Sequence, residues 1–232
     1  MKRLVTTIAA MTLFAMPGFA GDRPVVVELF TSQGCSSCPP ADAFLHKLDG
    51  REDVIALALH VDYWDYIGWK DSFADPAHSE RQRAYAKADG RRMIYTPQMI
   101  IDGTNHVVGN RPKDVLDLIE MHHSRPDTVS LTAEHDSGQL HLQAERLDGG
   151  REPLSVLMVR YSPRNEVRIS AGENAGRSLS YANVVTDMRD LDVWDGSEPL
   201  IMNIQAPGDE PIVILLQHAG GTGAIEAALH LR

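Results

Sequence analysis

Apolar residues along this chain gather into short runs, and the period of those runs changes half-way. "VVVELFT" (25–31) and "DVIALALHV" (53–61) are continuous and of strand length, the pattern of strands covered on both faces. "PPADAFLHKLDG" (39–50) instead places Ala41, Phe44, Leu45 and Leu48 at helical spacing and stops at Gly50. "AHSERQRAYAKADG" (77–90) predicts a polar, alanine-containing helix ended by glycine. "QMIIDGTNHVVG" (98–109) predicts a hairpin around an Asp-Gly turn, and "PKDVLDLIEMHH" (112–123) a helix that turns Val115, Leu118 and Ile119 inward. The resulting order, β-α-β-α-β-β-α, implies a parallel βαβ unit with an antiparallel hairpin at its edge.

Beyond Arg125 the helical spacing disappears. "TVSLTAEHDSGQLHLQAERL" alternates apolar and polar around Asp136–Gly138, as a hairpin does. "LSVLMVRYS", "YANVVTDMRDL", "PLIMNIQAP" and "PIVILLQHA" follow as short apolar runs punctuated by Gly, Pro, Asp and Asn. Such a series predicts a small all-β sandwich. No internal repeat, heptad or low-complexity tract interrupts it. The expectation is an α/β domain over residues 21–124 followed by a β-sandwich domain over residues 125–232, each about the size of a common domain.

Residues 1–20 read apart from both. "MKR" is a short basic start, "LVTTIAAMTLFAM" an apolar core, and "PGFA" supplies small residues before Gly21. This is the form of a signal peptide cleaved after Ala20; the alternative, an N-terminal anchor, is short of the ~20 apolar residues that span a bilayer. The expected location is the periplasm or outside the cell, by Gram-negative type export, with no stable membrane insertion after cleavage. Formal net charge is −10, and loss of Lys2 and Arg3 would leave 20 basic against 32 acidic residues. A chain this acidic, without clustered Lys or Arg, is a poor ligand for nucleic acid or an anionic membrane.

Export gives meaning to the two cysteines, both in "TSQGCSSCPPAD" (31–42). In an oxidising compartment a lone pair signals disulfide chemistry. Cys35 follows a predicted strand and Cys38 opens a predicted helix, so free N–H groups and the helix dipole favour a sulfur anion there. An ordinary thiol has a pKa of ~8.5; lowering it by ~2.5 units would make it mostly thiolate at pH 7. On position, Cys35 is the more exposed nucleophile and Cys38 the resolving thiol. Two other readings stand beside this one. A structural staple closing so few residues would stabilise by only about 2 kcal/mol. A metal site needs further ligands, and none of His60, His78, His106, His122 or His123 falls at ligand-like spacing from the pair.

"YTPQMIIDG" (95–103) puts Pro97 directly before a strand of the same half. With a CxxC opening the first helix, the front half resembles a thioredoxin-like domain, in which a cis-proline faces the cysteines; Thr96-Pro97 matches that proline. The resemblance implies that the pair of residues positions a partner segment. An ordinary trans-proline at an edge strand is the plain alternative. "VVVELFTSQGCSSCPPAD", "HVDYWDYIGWKDSFADP", "RQRAYA", "YTPQMIIDG" and "GENAGRSLSYANVV" together resemble the secreted bacterial DUF1223 family across nearly the whole mature chain. The thioredoxin-like resemblance also implies a buried carboxylate beneath the cysteines. Six residues before Cys35 stands Leu29, so Glu28, seven before, fills that role only if the "TSQG" loop holds one extra residue; otherwise it is an edge glutamate or the partner of an arginine.

Two further stretches carry candidate residues. In "HVDYWDYIGWKDSFADP" (60–76), Tyr63, Trp64, Tyr66 and Trp69 either roof the cysteines and receive a partner, or stack a sugar, or pack the loop onto its domain. Its aspartates lack the spacing of an EF-hand. In "GENAGRSL" (172–179), Asn174 and Arg177 lie among glycines that permit close backbone approach, as in a docking loop between domains. The expectation is an exported thiol–disulfide oxidoreductase acting on protein or small-molecule thiols and disulfides, without cofactor or metal. Cys35, Cys38 and Glu28 are its candidate catalytic residues, and Thr96, Pro97, Trp64 and Trp69 its substrate-positioning residues. The rival is a non-enzymatic periplasmic binding protein or metal chaperone on the same scaffold.

Overall fold

A computed structural model describes residues 23–218 and 220–231. The predicted leader and its cleavage site lie outside the described residues. The front of the chain builds β1 (Val25–Thr31), α1 (Pro39–Asp49), β2 (Val54–His60), α2 (Pro76–Ala88), β3 (Gln98–Ile101), β4 (Asn105–Val108) and α3 (Pro112–His123). β1 and β2 pair in parallel from Val25↔Val54 to Thr31↔His60, with α1 as the crossover. The other edge of β1 takes β3 antiparallel, and β3 carries β4 through the Asp102–Gly103 turn.

The rest is strand: β5 (Val129–Asp136), β6 (Gln139–Arg146), β7 (Leu154–Arg168), β8 (Ser178–Trp194), β9 (Leu200–Gln205), β10 (Ile212–His218) and β11 (Ile225–Leu231). β7 and β8 are far longer than the short runs expected, 15 and 17 residues, and pair antiparallel with two register shifts.

A thioredoxin-like α/β domain followed by a β-sandwich is not what the chain builds. The described residues are mostly β, 43% strand against 19% helix, and their main feature is one mixed sheet of eight strands in the order β11-β10-β7-β8-β2-β1-β3-β4. The strands after residue 125 do not close on themselves. β8 joins the edge of β2 in parallel at Ala58↔Val184, so the two halves share a sheet. Asn183 stitches the seam: its side-chain amide donates to the Ala56 carbonyl at 2.9 Å and to Asp49 at 2.7 Å. Its φ of 47° falls in the left-handed region that asparagine tolerates better than most residues. Only β5, β6 and β9 form a separate three-stranded sheet.

Strand alternation sorts the cores. Val25, Val27 and Leu29 face Ala41, Leu45 and Leu48 of α1 and Val115 and Ile119 of α3. Val26 and Phe30 face the other way, into a cluster that joins Leu57, Leu59 and Tyr85 to Leu157, Val159, Tyr161, Val213 and Leu215. Residues from both sides of position 125 are therefore buried in one core, each large side chain contributing about 1.5–3 kcal/mol of burial. A third cluster packs Leu140 and Leu142 of the small sheet against Val156, Met158, Ile212 and Ile214. Along the seam Arg81 of α2 donates to the Gly221 carbonyl and to Gln217, and Arg23 to the Ile225 carbonyl.

Candidate active site

Cys35 and Cys38 are joined, with an S–S distance of 2.09 Å and 5.4 Å between Cα atoms. Cys38 caps α1, but Pro39 and Pro40 occupy its first positions, so two of the expected N–H donors do not exist. The next two, of Ala41 and Asp42, bond the Cys38 carbonyl rather than sulfur. The polar neighbour that Cys35 Sγ does have is the Ser37 hydroxyl, at 3.4 Å. Expected exposure of Cys35 is also corrected: Cys35 is 1% and Cys38 0% exposed, while Ser36 and Ser37 between them are at the surface.

Two loops pack on the turn that carries Cys35. Asn174, itself buried, donates to the carbonyl oxygens of Gln33 at 2.9 Å and Cys35 at 3.0 Å, and Arg177 donates to Asn174 Oδ1 at 2.8 Å. Trp69 Nε1 donates to Gln33 Oε1 at 2.8 Å, and a Cβ on Gly34 would meet Ile67 and Trp64 within 3.3 Å. The aromatic loop of residues 61–74 and the glycine-rich loop of residues 169–177 thus close over the CxxC loop, and over one another where Gly172 abuts Trp69.

Thr96 and Pro97 stand at the same place. The Thr96–Pro97 bond is cis, and Trp64 Nε1 donates to Thr96 Oγ1 at 2.8 Å. Gly109 is wedged between Pro97 and Ala41 at the start of α1, with room for no side chain. Asn110 reaches the Ser37 carbonyl at 3.2 Å. Trp64, Trp69, Thr96 and Pro97 are therefore gathered around the cysteines.

Glu28 is not. It shares the strand face of Val26 and Phe30, opposite α1, where Arg81 donates to it at 2.7 Å and Tyr85 at 2.5 Å. Burial would depress the Arg81 guanidinium, but Glu28 and the Tyr85 oxygen outweigh it and push that pKa up.

The carboxylate on the cysteine side is Asp42, which is not among the residues predicted from the sequence. It lies one turn after Cys38 on the same helix face. It is buried, accepts from Thr31 Oγ1 at 2.7 Å, and leaves Oδ2 without a hydrogen-bond partner. Burial pushes its pKa up to about 7 against the opposing pull of His60 and the Thr31 bond. His60, fully buried, holds Asp71 through Nδ1 at 2.7 Å and leaves Nε2 unpartnered. Asp71 also accepts from the backbone N–H groups of Gln33 and Phe73; burial would raise its pKa, but the His60 bond and these donors hold it below the usual range. Tyr181 of β8 stacks edge-on to His60 at 4.8 Å, and its buried hydroxyl is unpartnered too. Asp42 offered a signal: an acid four residues after the second cysteine, beside the inward Ala41 and Leu45.

The residues between Val26 and Gln217 match the family described as protein of unknown function (DUF1223). The chain belongs to the DUF1223 family. A crystal structure of a protein from Agrobacterium tumefaciens, a structural-genomics target, is 32% identical, with 94% of this chain and 96% of that one covered and a TM-score of 0.76. No curated protein matches the chain. Among the described residues of this DUF1223 protein, no group of three or more His, Cys, Asp or Glu is placed to hold a metal ion. A cleft of ≈ 800 Å³ opens away from the cysteines, between α2 and β8, and is rimmed by Asp75, Glu80, Asp187, Asp190 and Asp192.

Proposed function

We propose that this DUF1223 protein is an exported thiol–disulfide oxidoreductase. The observation that carries the reading is the bonded Cys35–Cys38 pair at the start of α1, with Thr96, Pro97, Trp64 and Trp69 around it and, one turn below, the buried carboxylate of Asp42, one oxygen of which has no partner. A ring this small holds little: closing four residues stabilises by only about 2 kcal/mol, and the surrounding loops are already tied by Asn174 and Trp69.

In the reduced protein Cys35 attacks a partner disulfide as thiolate, assisted by the Ser37 hydroxyl. The partner S–S bond breaks, one partner thiolate leaves and takes up a proton, and a Cys35–partner bond forms. Cys38, as thiolate, then attacks Cys35 Sγ, expels the second partner thiolate and restores the Cys35–Cys38 bond. Two electrons pass to the partner; run backwards, the same exchange oxidises a partner dithiol. Thr96, Pro97, Trp64 and Trp69 position the partner, a protein or small-molecule thiol or disulfide, and the N-terminal segment directs the chain to the periplasm or beyond.

The test is a Cys38→Ala variant expressed in its native compartment. Adducts that disappear on reduction should accumulate on Cys35. Their absence there, with a Cys35→Ser control equally blank, overturns the reading.

A further inference from the structure

The interior behind the cysteines holds more unpartnered polar groups than packing alone explains. Buried polar atoms are nearly always hydrogen-bonded, yet Asp42 Oδ2, His60 Nε2 and the Tyr181 hydroxyl are all buried and unpaired within one cluster. They come from three elements, α1, β2 and β8, and meet on the side of the sheet where α1 begins. An array left unsatisfied in the resting protein is suited to a change of protonation, because each atom has a free position for a proton or for a water that carries one.

We infer that Asp42, held by Thr31 and near the His60–Asp71 pair, is the proton acceptor for Cys38, and that His60 acts on this step through Asp42. The inference rests on the redox reading above. Cys38 caps the helix in a helical conformation and Asp42 follows at i+4, so the two side chains lie on one face, one turn apart. Glu28, on the far side of the sheet and bound by Arg81, is not placed to serve. The Cys38 thiol transfers its proton to the Asp42 carboxylate, and the thiolate attacks Cys35 Sγ and releases the partner thiolate. In reverse, Asp42 returns the proton as the ring opens.

Every group facing Asp42 fits this use. From β1, Thr31 fixes Oδ1 and leaves Oδ2 free. From β2, His60 presents its ring, anchored by Asp71 of the covering loop. From β8, Tyr181 closes the far side, with Arg177 acting on it from the glycine-rich loop. Along α1 the next turn brings His46, whose buried Nε2 is also unpartnered, and then Asp49. The helix face reads Cys38, Asp42, His46, a polar stripe leading outward from the buried pair. Burial keeps the Asp42 carboxyl near neutrality, where it can take and return a proton at physiological pH.

The reduced protein, mixed with a symmetrical aromatic disulfide that releases a coloured thiolate, separates the steps. A first release reports attack by Cys35 and a second reports Cys38. In the wild type both should appear, the second with its pH midpoint below that of an ordinary thiol, ~8.5. Asp42→Asn should keep the first and slow the second tenfold or more at pH 7, with its midpoint moved towards that of an ordinary thiol, ~8.5. His60→Gln removes a group that lowers the Asp42 pKa and should move the midpoint upward without abolishing the step; it carries the test if the asparagine variant does not fold. An unchanged second phase in Asp42→Asn, or an unmoved midpoint in His60→Gln, overturns the inference and leaves the redox reading standing. A wild type with no second release overturns the redox reading itself.

Discussion

The side-chain amide of Asn174 donates to the carbonyl oxygen of Cys35 at 3.0 Å, across 139 residues of chain. The same amide holds the Gln33 carbonyl, so one asparagine from the β7–β8 hairpin clamps both ends of the turn that presents the first cysteine. Thiol exchange requires access to sulfur, and both cysteines of the clamped turn are buried. The turn that presents the pair is therefore held in part from the second half of the chain.

Asn174→Ala should open that access. Reduction of the Cys35–Cys38 bond by a small dithiol is expected to speed up severalfold, while stability falls by about 1–3 kcal/mol because two buried carbonyls lose their donor. Stopped-flow reduction beside urea unfolding checks both; an unchanged reduction rate would show that the clamp does not limit access.

Glu28 and Arg81 form a buried pair reinforced by Tyr85 and Gln217. Removing one partner strands the other charge, at a cost of about 3–5 kcal/mol. Arg81→Met should lower the melting temperature sharply, and Glu28→Gln should do so more mildly while leaving the pH profile of thiol exchange in place. A displaced exchange profile in Glu28→Gln would return Glu28 to the mechanism.

The raised pKa of Asp42 has a signed effect on stability. With the folded value near 7 and the unfolded value near 3.8, the contribution is complete below pH ~4 and is lost as pH rises through 7. Asp42→Asn removes that loss, so the oxidised variant should gain on the wild type between pH 4 and pH 8 by a few kcal/mol. Unfolding of both proteins across that range, with the disulfide intact, is the measurement; a constant difference would mean that the buried carboxyl ionises normally.

Gly103 marks where the β3–β4 turn meets the second half. Its φ is +71°, and a Cβ would lie 2.0 Å from the Gly223 carbonyl oxygen. Gly103→Ala should destabilise by more than about 3 kcal/mol, since strain and a backbone clash act together. Gly90→Ala, also at positive φ but in open space, should cost only the strain of about 1 kcal/mol.

Much of this molecule was legible locally. Uninterrupted apolar runs marked β1 and β2, the Ala41–Leu45–Leu48 spacing marked α1, and Asp102–Gly103 marked the hairpin, because each pattern reports how many faces of an element are covered. The gathering of Trp64 and Trp69 about the cysteines was legible as one of several uses for an aromatic loop. Glu28 and Asp42 were not distinguishable in this way: a strand of period two sends Glu28 with Val26 and Phe30 to the α2 face, and which face carries the cysteines depends on where α1 packs.

By itself the order of residues determined the front-half elements, the pairing-ready CxxC at the head of a helix, and the shift from helices to strands near Arg125, but not the length of β7 and β8. Tertiary structure alone decided that β8 completes the sheet beside β2, that Asn174 and the aromatic loop bury Cys35, and that Asp42, His60 and Tyr181 meet. Periodicity encodes an element's exposure but not its neighbour. Neighbours are chosen by open strand edges and unmatched apolar faces, which exist only once the chain has folded.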